Sequence, residues 1–265
     1  MNMFLHELKA YRKSTITWTF TLVVLVILFL SMFPAISREA EEFKRLLEGF
    51  PEALRMALGL SVENIGSILG FYSYFFLYIS LVGTIQAMNL GTSIVSKEVR
   101  EKTADFLLTK PVTRIQIMTS KLLAALTSLV ITNVVYVITA TIMASLVETK
   151  EYSTKIFLLL SLTLFFLQLI FLALGIIVSV VVPKIKSVLP ISLGTVLAFF
   201  IIGALASTTG DNALRYISPF KYFDFAYIVK NSSYESSFLI VAISFITLTI
   251  TASYLIYSKR DIHAV

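Results

Sequence analysis

The sequence predicts an all-α membrane protein with six transmembrane helices, and three observations carry that prediction. The 265 residues are 57% hydrophobic and only 14% charged, where soluble domains carry about a quarter charged residues, and the mean hydropathy is +0.86. Six stretches, approximately 16–36, 68–92, 119–147, 156–182, 188–207 and 237–257, reach the roughly 20 apolar residues needed to cross a hydrocarbon core of about 30 Å. Apart from Lys121, at the start of the third, none of them contains Asp, Glu, Lys, Arg or His. An ionised side chain at mid-membrane costs about 2.5 to 3.5 kcal/mol, so this exclusion marks real spans. The spans lie close together, which predicts a single transmembrane domain over residues 1–265 in contact with the lipid bilayer.

The first element, residues 1–15, contains "HELKAYRKS", a basic leader that could be taken for a signal peptide. The apolar run behind it is longer than a signal core and no small-x-small cleavage site follows, so it is expected to stay as an anchor. Phe4, Leu8 and Tyr11 share one helical face with Lys9 and Lys13 opposite, the pattern of an interfacial amphipathic helix. In the loop 37–67, Phe43, Leu46, Leu47, Phe50 and Leu54 recur at helical spacing behind Glu39, Glu41 and Glu42. Helices interrupted near Gly49 and Pro51 are expected there.

The second span carries Gly83, Ala87 and Gly91 at four-residue spacing, a ridge of small residues that lets another helix approach closely; Gly66 and Gly70 repeat the spacing just before it. Packing within the chain is the preferred expectation for this ridge, with contact to a second copy as the alternative. Gln86 and Asn89 lie three apart, on one face, and Asn133 and Gln168 are the other strongly polar residues within spans. They line a substrate path or, on the simpler reading, make hydrogen bonds between helices. The stretch 208–235 is too polar to span and too aromatic to be loose, which predicts a short lid-like helix around 222–229.

Orientation follows from Lys and Arg. With the N-terminus inside, residues 1–15, 93–121, 183–187 and 258–265 hold 13 basic residues, against 9 in 37–67, 148–155 and 208–235. The inside segments are also shorter in total, so both termini are expected in the cytoplasm. The net charge of +6 is spread over these loops and calls for no nucleic-acid partner.

Enzyme classes are tested by what the chain lacks. His6 and His263 stand at its two ends, the spans hold no carboxylate, there is no cysteine, and no glycine precedes a lysine. Intramembrane metallo- and aspartyl proteolysis, thiol chemistry and a phosphate-cradling GxxxxGK[ST] loop are thereby excluded, and the chain is not expected to be an enzyme.

The charged stretch "KEVREKTADFLLTKPVTR", residues 97–114, interrupts this apolar chain between the second and third spans. Ser96 is the expected N-cap, Glu98 favours the start of the helix dipole, and Pro111 is the expected stop. Val99, Thr103, Phe106, Leu107 and Lys110 form one stripe, with Glu98, Glu101 and Asp105 on the other side. A lipid-surface helix has a mainly basic polar face, and the mixed signs here favour docking on a protein.

The run Glu98, Thr103, Asp105, Leu107, Leu108, Pro111, Val112, Thr113 and Arg114, followed by Lys121, resembles the cytoplasmic loop signature of the type-two permease family of ATP-binding-cassette (ABC) transporters. Lys102 stands where glycine is usual and Asp105 where glutamate is usual. The resemblance extends to "PEALRMALG", "SPFKYFD" and "KRDI" and covers nearly the whole chain. It implies that residues 1–15 form an elbow helix and that 96–114 form a coupling helix seated in a groove of a separate ABC ATPase subunit. The ATPase-coupling residues would be Glu98, Val99, Glu101, Thr103, Asp105, Phe106, Leu107, Pro111 and Arg114.

The resemblance further implies export in the plasma membrane of a prokaryote. A second permease subunit would complete the membrane part, as a homodimer more readily than a heterodimer. No cofactor is expected in this chain, because ATP and Mg would bind the partner. Amphipathic or hydrophobic cargo, peptides or peptide toxins first, suits spans rich in Phe, Tyr and Leu. The alternatives are drug or lipid export, or a membrane anchor or assembly protein that transports nothing. On the outer side, 37–67 and 208–235 would cap the cavity of the dimer.

Overall fold

The computed structural model describes residues 3–57, 65–100, 112–148, 151–182 and 184–259, and among these the chain is helical without strands. Its long helices are α1 (Met3–Arg38), α4 (Ile68–Arg100), α5 (Arg114–Val147), α6 (Thr154–Val181), α7 (Val188–Thr209) and α10 (Ser236–Lys259). All six are long and apolar enough to cross a membrane. With backbone groups bonded inside each segment, helices satisfy the demand of a solvent that offers no hydrogen bonds.

The 36 residues of α1 correspond to about 54 Å at 1.5 Å per residue, well beyond a hydrocarbon core. The expected elbow is therefore helical but continuous with the first span. Glu7 and Tyr11 are buried on the inner face of this extension, and nothing in the sequence before residue 16 breaks the helix.

At the centre, α4 and α6 share the most extensive interface, α1 runs along α5, and α6 is the most enclosed span. Two glycines explain the α4–α6 approach. A Cβ added to Gly91 would lie 2.4 Å from the Leu172 carbonyl oxygen, and one added to Gly175 would lie 2.6 Å from the Met88 carbonyl oxygen and 2.7 Å from the Thr92 nitrogen. Backbone therefore meets backbone where any side chain would force the helices apart. The small-residue ridge of the second span packs inside the chain, as expected. At Gly83, farther along it, an added Cβ would lie 2.5 Å from the flexible end of Leu164.

The helix breaks around Gly49 and Pro51 fall where the sequence places them, between α2 (Ala40–Glu48) and α3 (Glu52–Ala57). Of the apolar stripe there, Leu47 is buried while Leu46, Phe50 and Leu54 are exposed. The stretch 208–235 folds into α8 (Asn212–Ile217), a 3-10 turn (Pro219–Lys221) and α9 (Phe225–Asn231). The predicted short helix corresponds to α9, shifted by about a turn because Asp224 caps it by accepting from the Tyr227 amide at 3.0 Å. Helix α8 was not expected; Asp211 caps it in the same way through the Ala213 amide at 2.8 Å. Hydroxyls fix the segment: Tyr222 donates to the Tyr216 carbonyl (2.6 Å), Tyr234 to Leu159 (2.7 Å) and Ser218 to Phe199 (2.7 Å). Arg215 pairs with Glu235 and lies 4.0 Å over the Phe238 ring.

One boundary is corrected. Ser96 caps nothing: α4 runs through it to Arg100, and its buried hydroxyl donates back to the Thr92 carbonyl at 2.6 Å. A serine that satisfies itself on the preceding turn lets a helix continue, and no Gly or Pro stands there to stop it. The expected stop at Pro111 lies outside the described residues. The chain re-enters a helix at Thr113, whose hydroxyl accepts from the Gln116 amide (3.2 Å) while the Gln116 side chain accepts from the Thr113 amide (3.0 Å), a reciprocal cap.

Candidate coupling and transport site

The residues assigned to coupling divide in two. Glu101, Thr103, Asp105, Phe106, Leu107 and Pro111 lie outside the described residues. Glu98, Val99 and Arg114 flank them, the first two in the last turn of α4 and the third at the start of α5. Between those two helix ends the structure places a charge cluster centred on Lys121. Its ammonium, 1% exposed, donates to Glu7 at 2.8 Å and to the Ile94 carbonyl at 2.8 Å, and it lies 2.6 Å from Glu98.

Three partners match the three N–H bonds of an ammonium, so Lys121 is saturated. A buried charge is tolerated only when it is paired and hydrogen-bonded, and this cluster draws on three elements: Glu7 from α1, Glu98 and the Ile94 carbonyl from α4, and Lys121 from α5. The first turns of α1 and the two helices that flank residues 101–111 are thus tied at one point.

Deeper in the bundle, Gln86, Asn133 and Gln168 converge. The Gln168 amide donates to Gln86 (3.1 Å) and to the Gly83 carbonyl (3.1 Å), Asn133 donates to Gln168 (2.6 Å), and Gln86 donates to Thr132 (3.1 Å). Thr132 in turn bonds Thr19 of α1 at 2.8 Å. Four spans are stitched by this network. Asn133 Oδ1 is buried without a hydrogen-bond partner among the described residues. Asn89 is half-buried, and among the described residues its side chain makes no hydrogen bond; the geometry separates it from Gln86 although both were read on one face. A second buried cluster joins the Tyr72 hydroxyl to Tyr136 (2.6 Å) and Ser161 (2.9 Å).

Sequence reasoning missed Glu7, Thr132 and the tyrosine cluster. For Glu7 the sequence holds no pointer, since a lysine at the edge of an apolar span can reach the interface by itself and its partner lies 114 residues away. The hydroxyl groups gave none, since Ser, Thr and Tyr are common along all the spans. Among the described residues no group of three His, Cys, Asp or Glu could hold a metal ion.

Six apolar helices, a capped re-entry at Thr113 and a charged cluster between the two helices that flank residues 101–111 form one arrangement. The family described as ABC-2 family transporter protein matches residues 1–262, nearly the whole chain. A search of curated proteins returned no match. On the full-length family match together with its six spans, the chain belongs to the ABC-2 transporter family, as a multi-pass membrane subunit of the permease type.

Proposed function

We propose that the chain is the membrane half of an exporter for amphipathic or hydrophobic cargo, with peptides or peptide toxins first among the candidates. A separate ABC ATPase binding ATP and Mg drives it, a second copy completes the pathway, and both termini face the cytoplasm of a prokaryotic cell. The observation that carries this reading is the Lys121 cluster. It ties Glu7, Glu98 and the start of α5 at the base of the loop that would dock the ATPase. Nucleotide can drive transport only by biasing two arrangements of the membrane part unequally, and a rigid base converts loop displacement into movement of α1, α4 and α5 together.

In this reading Phe106 and Leu107 anchor in the ATPase groove, Glu101 and Asp105 set register at its rim, and Arg114 closes the loop at the start of α5. Gln86, Asn133 and Gln168 hold helices together, and Asn89, outside their network, is the polar span residue left for the pathway.

Pull-down from mild detergent and transport in reconstituted vesicles test the proposal. A stoichiometric nucleotide-binding subunit is expected to copurify. Phe106→Ala is expected to weaken its docking by about 2 kcal/mol, the scale of an interface hot spot. Copurification with no ATPase would establish the anchor or assembly reading instead. Amphipathic peptides that are neither secreted nor resisted, alongside drug or lipid efflux, would reassign the cargo.

A further inference from the structure

At the end of α4 opposite the Lys121 cluster, the first turns of that helix and the segment 219–230 enclose a cavity of about 430 Å³. That volume lies in the range of small-ligand sites, about 300 to 1,000 Å³. Its wall is mainly apolar, with Leu77 on one side and Phe225 and Val229 on the other, and it carries three charged groups, Lys221, Lys230 and Asp224. Asp224 is occupied as the cap of α9. Lys221 is half-buried, and among the described residues its ammonium has neither a hydrogen bond nor a carboxylate within ion-pair distance.

Burial lowers the Lys221 pKa below 10.5; Asp224 pulls it back up and Arg215 pushes it down again. A charge held partly out of water, with the nearby Asp224 carboxylate outside ion-pair distance, is the state that an incoming anion relieves. Lys230 at the rim adds a second positive charge. The apolar wall beside them excludes a strongly hydrated ion as the natural occupant, because it would strip water from the ion without replacing it.

We propose that this cavity binds an anionic amphiphile, a carboxylate or phosphate on an alkyl chain, with the head on Lys221 and Lys230 and the chain against Leu77, Phe225 and Val229. Such a molecule arrives from either of two sources, a membrane phospholipid or a free alkyl acid. The site belongs to the single chain and requires neither nucleotide nor ATPase, so its test is independent of the transport reading.

The test uses the purified full-length chain in neutral detergent with a photoreactive alkyl carboxylate and its methyl ester, the labelled residues being mapped by mass spectrometry. The acid is expected to label residues 67–77 and 219–231 with half-saturation about tenfold lower than the ester, the difference that one charge-assisted hydrogen bond supplies. Lys221→Gln should remove that tenfold preference, Lys221→Arg should keep it, and Val229→Trp, which fills the cavity, should suppress labelling by both probes. Unlabelled anionic phospholipid and alkyl carboxylate are then compared as competitors; displacement by either identifies the source.

Equal labelling by acid and ester, labelling spread evenly over the spans, or displacement by neither competitor overturns the proposal. Displacement by inorganic phosphate as effective as that by the alkyl acid also overturns it, by showing a bare anion site. The acid–ester comparison is made on the unaltered chain and holds even where a variant fails to fold.

Discussion

Lys121 and Lys221 stand at opposite ends of α4 and differ in what surrounds them. Lys121 is fully buried with two carboxylates and a carbonyl on its ammonium, whereas Lys221 is half-buried and makes no ion pair among the described residues. A saturated buried charge is structure: every donor is used, and removing the charge orphans its partners. An unsaturated one has capacity for a ligand and contributes little to the fold. The same residue type thus serves as a fastener at one end of a helix and as a receptor at the other, and the partner count separates the two roles.

Charge removal breaks the comparison most sharply. Lys121→Met leaves Glu7 and Glu98 facing each other without a counter-ion and should destabilise the chain by about 3 to 5 kcal/mol, read as a large drop in the thermal midpoint in detergent. Lys221→Met should cost nothing or raise the midpoint slightly. The sign can be checked by pH. Because the folded-state pKa of Lys221 is lowered from 10.5, the unfolded chain holds the proton longer, so this residue's contribution to stability rises as pH climbs from the folded value toward 10.5. Lys221→Met should abolish that rise. An equal loss of stability in both variants would erase the distinction.

A second contrast lies along the small-residue ridge. Gly91→Ala drives a methyl into the Leu172 carbonyl, which cannot yield without separating α4 from α6, and should cost about 1 to 3 kcal/mol. Gly83→Ala meets the end of the Leu164 side chain, which can rotate away, and should cost less than Gly91→Ala. Thermal unfolding of the two variants side by side gives the order. A further loss is expected at Gln168. Gln168→Leu removes hydrogen bonds to Gln86, Gly83 and Asn133, and hydrogen bonds between membrane helices average about 0.6 kcal/mol each, so a fall in the midpoint corresponding to about 2 kcal/mol is expected.

These residues also show how far the sequence could be read. Span number and order followed from hydropathy, because length and charge exclusion are properties of the chain itself. The Gly83–Gly91 ridge was legible as a close-approach surface, and its partner Gly175 was not, since a single glycine in a later span has no spacing to mark it. Ser96 was misread because capping propensity is local, while the continuation of α4 depends on buried surroundings that let its hydroxyl turn back on Thr92. Glu7 escaped notice because pairing across 114 residues leaves no periodic trace. Gln86, Asn133 and Gln168 were found as polar intruders, but which of them meet is a matter of helix rotation, and that separated Asn89 from the rest.

At the centre of the proposed function, the Lys121 cluster would carry force from the segment proposed to dock the ATPase into three helices. Glu98→Gln tests it most directly, because it keeps the shape and a carbonyl acceptor while removing the charge nearest the loop. The measurement is ATP hydrolysis and cargo transport, side by side, in vesicles containing the permease and its copurified ATPase. An intact complex that still hydrolyses ATP near the unaltered rate but moves several-fold less cargo per ATP is the expected result. Transport per ATP unchanged in Glu98→Gln, with the complex intact, would contradict it.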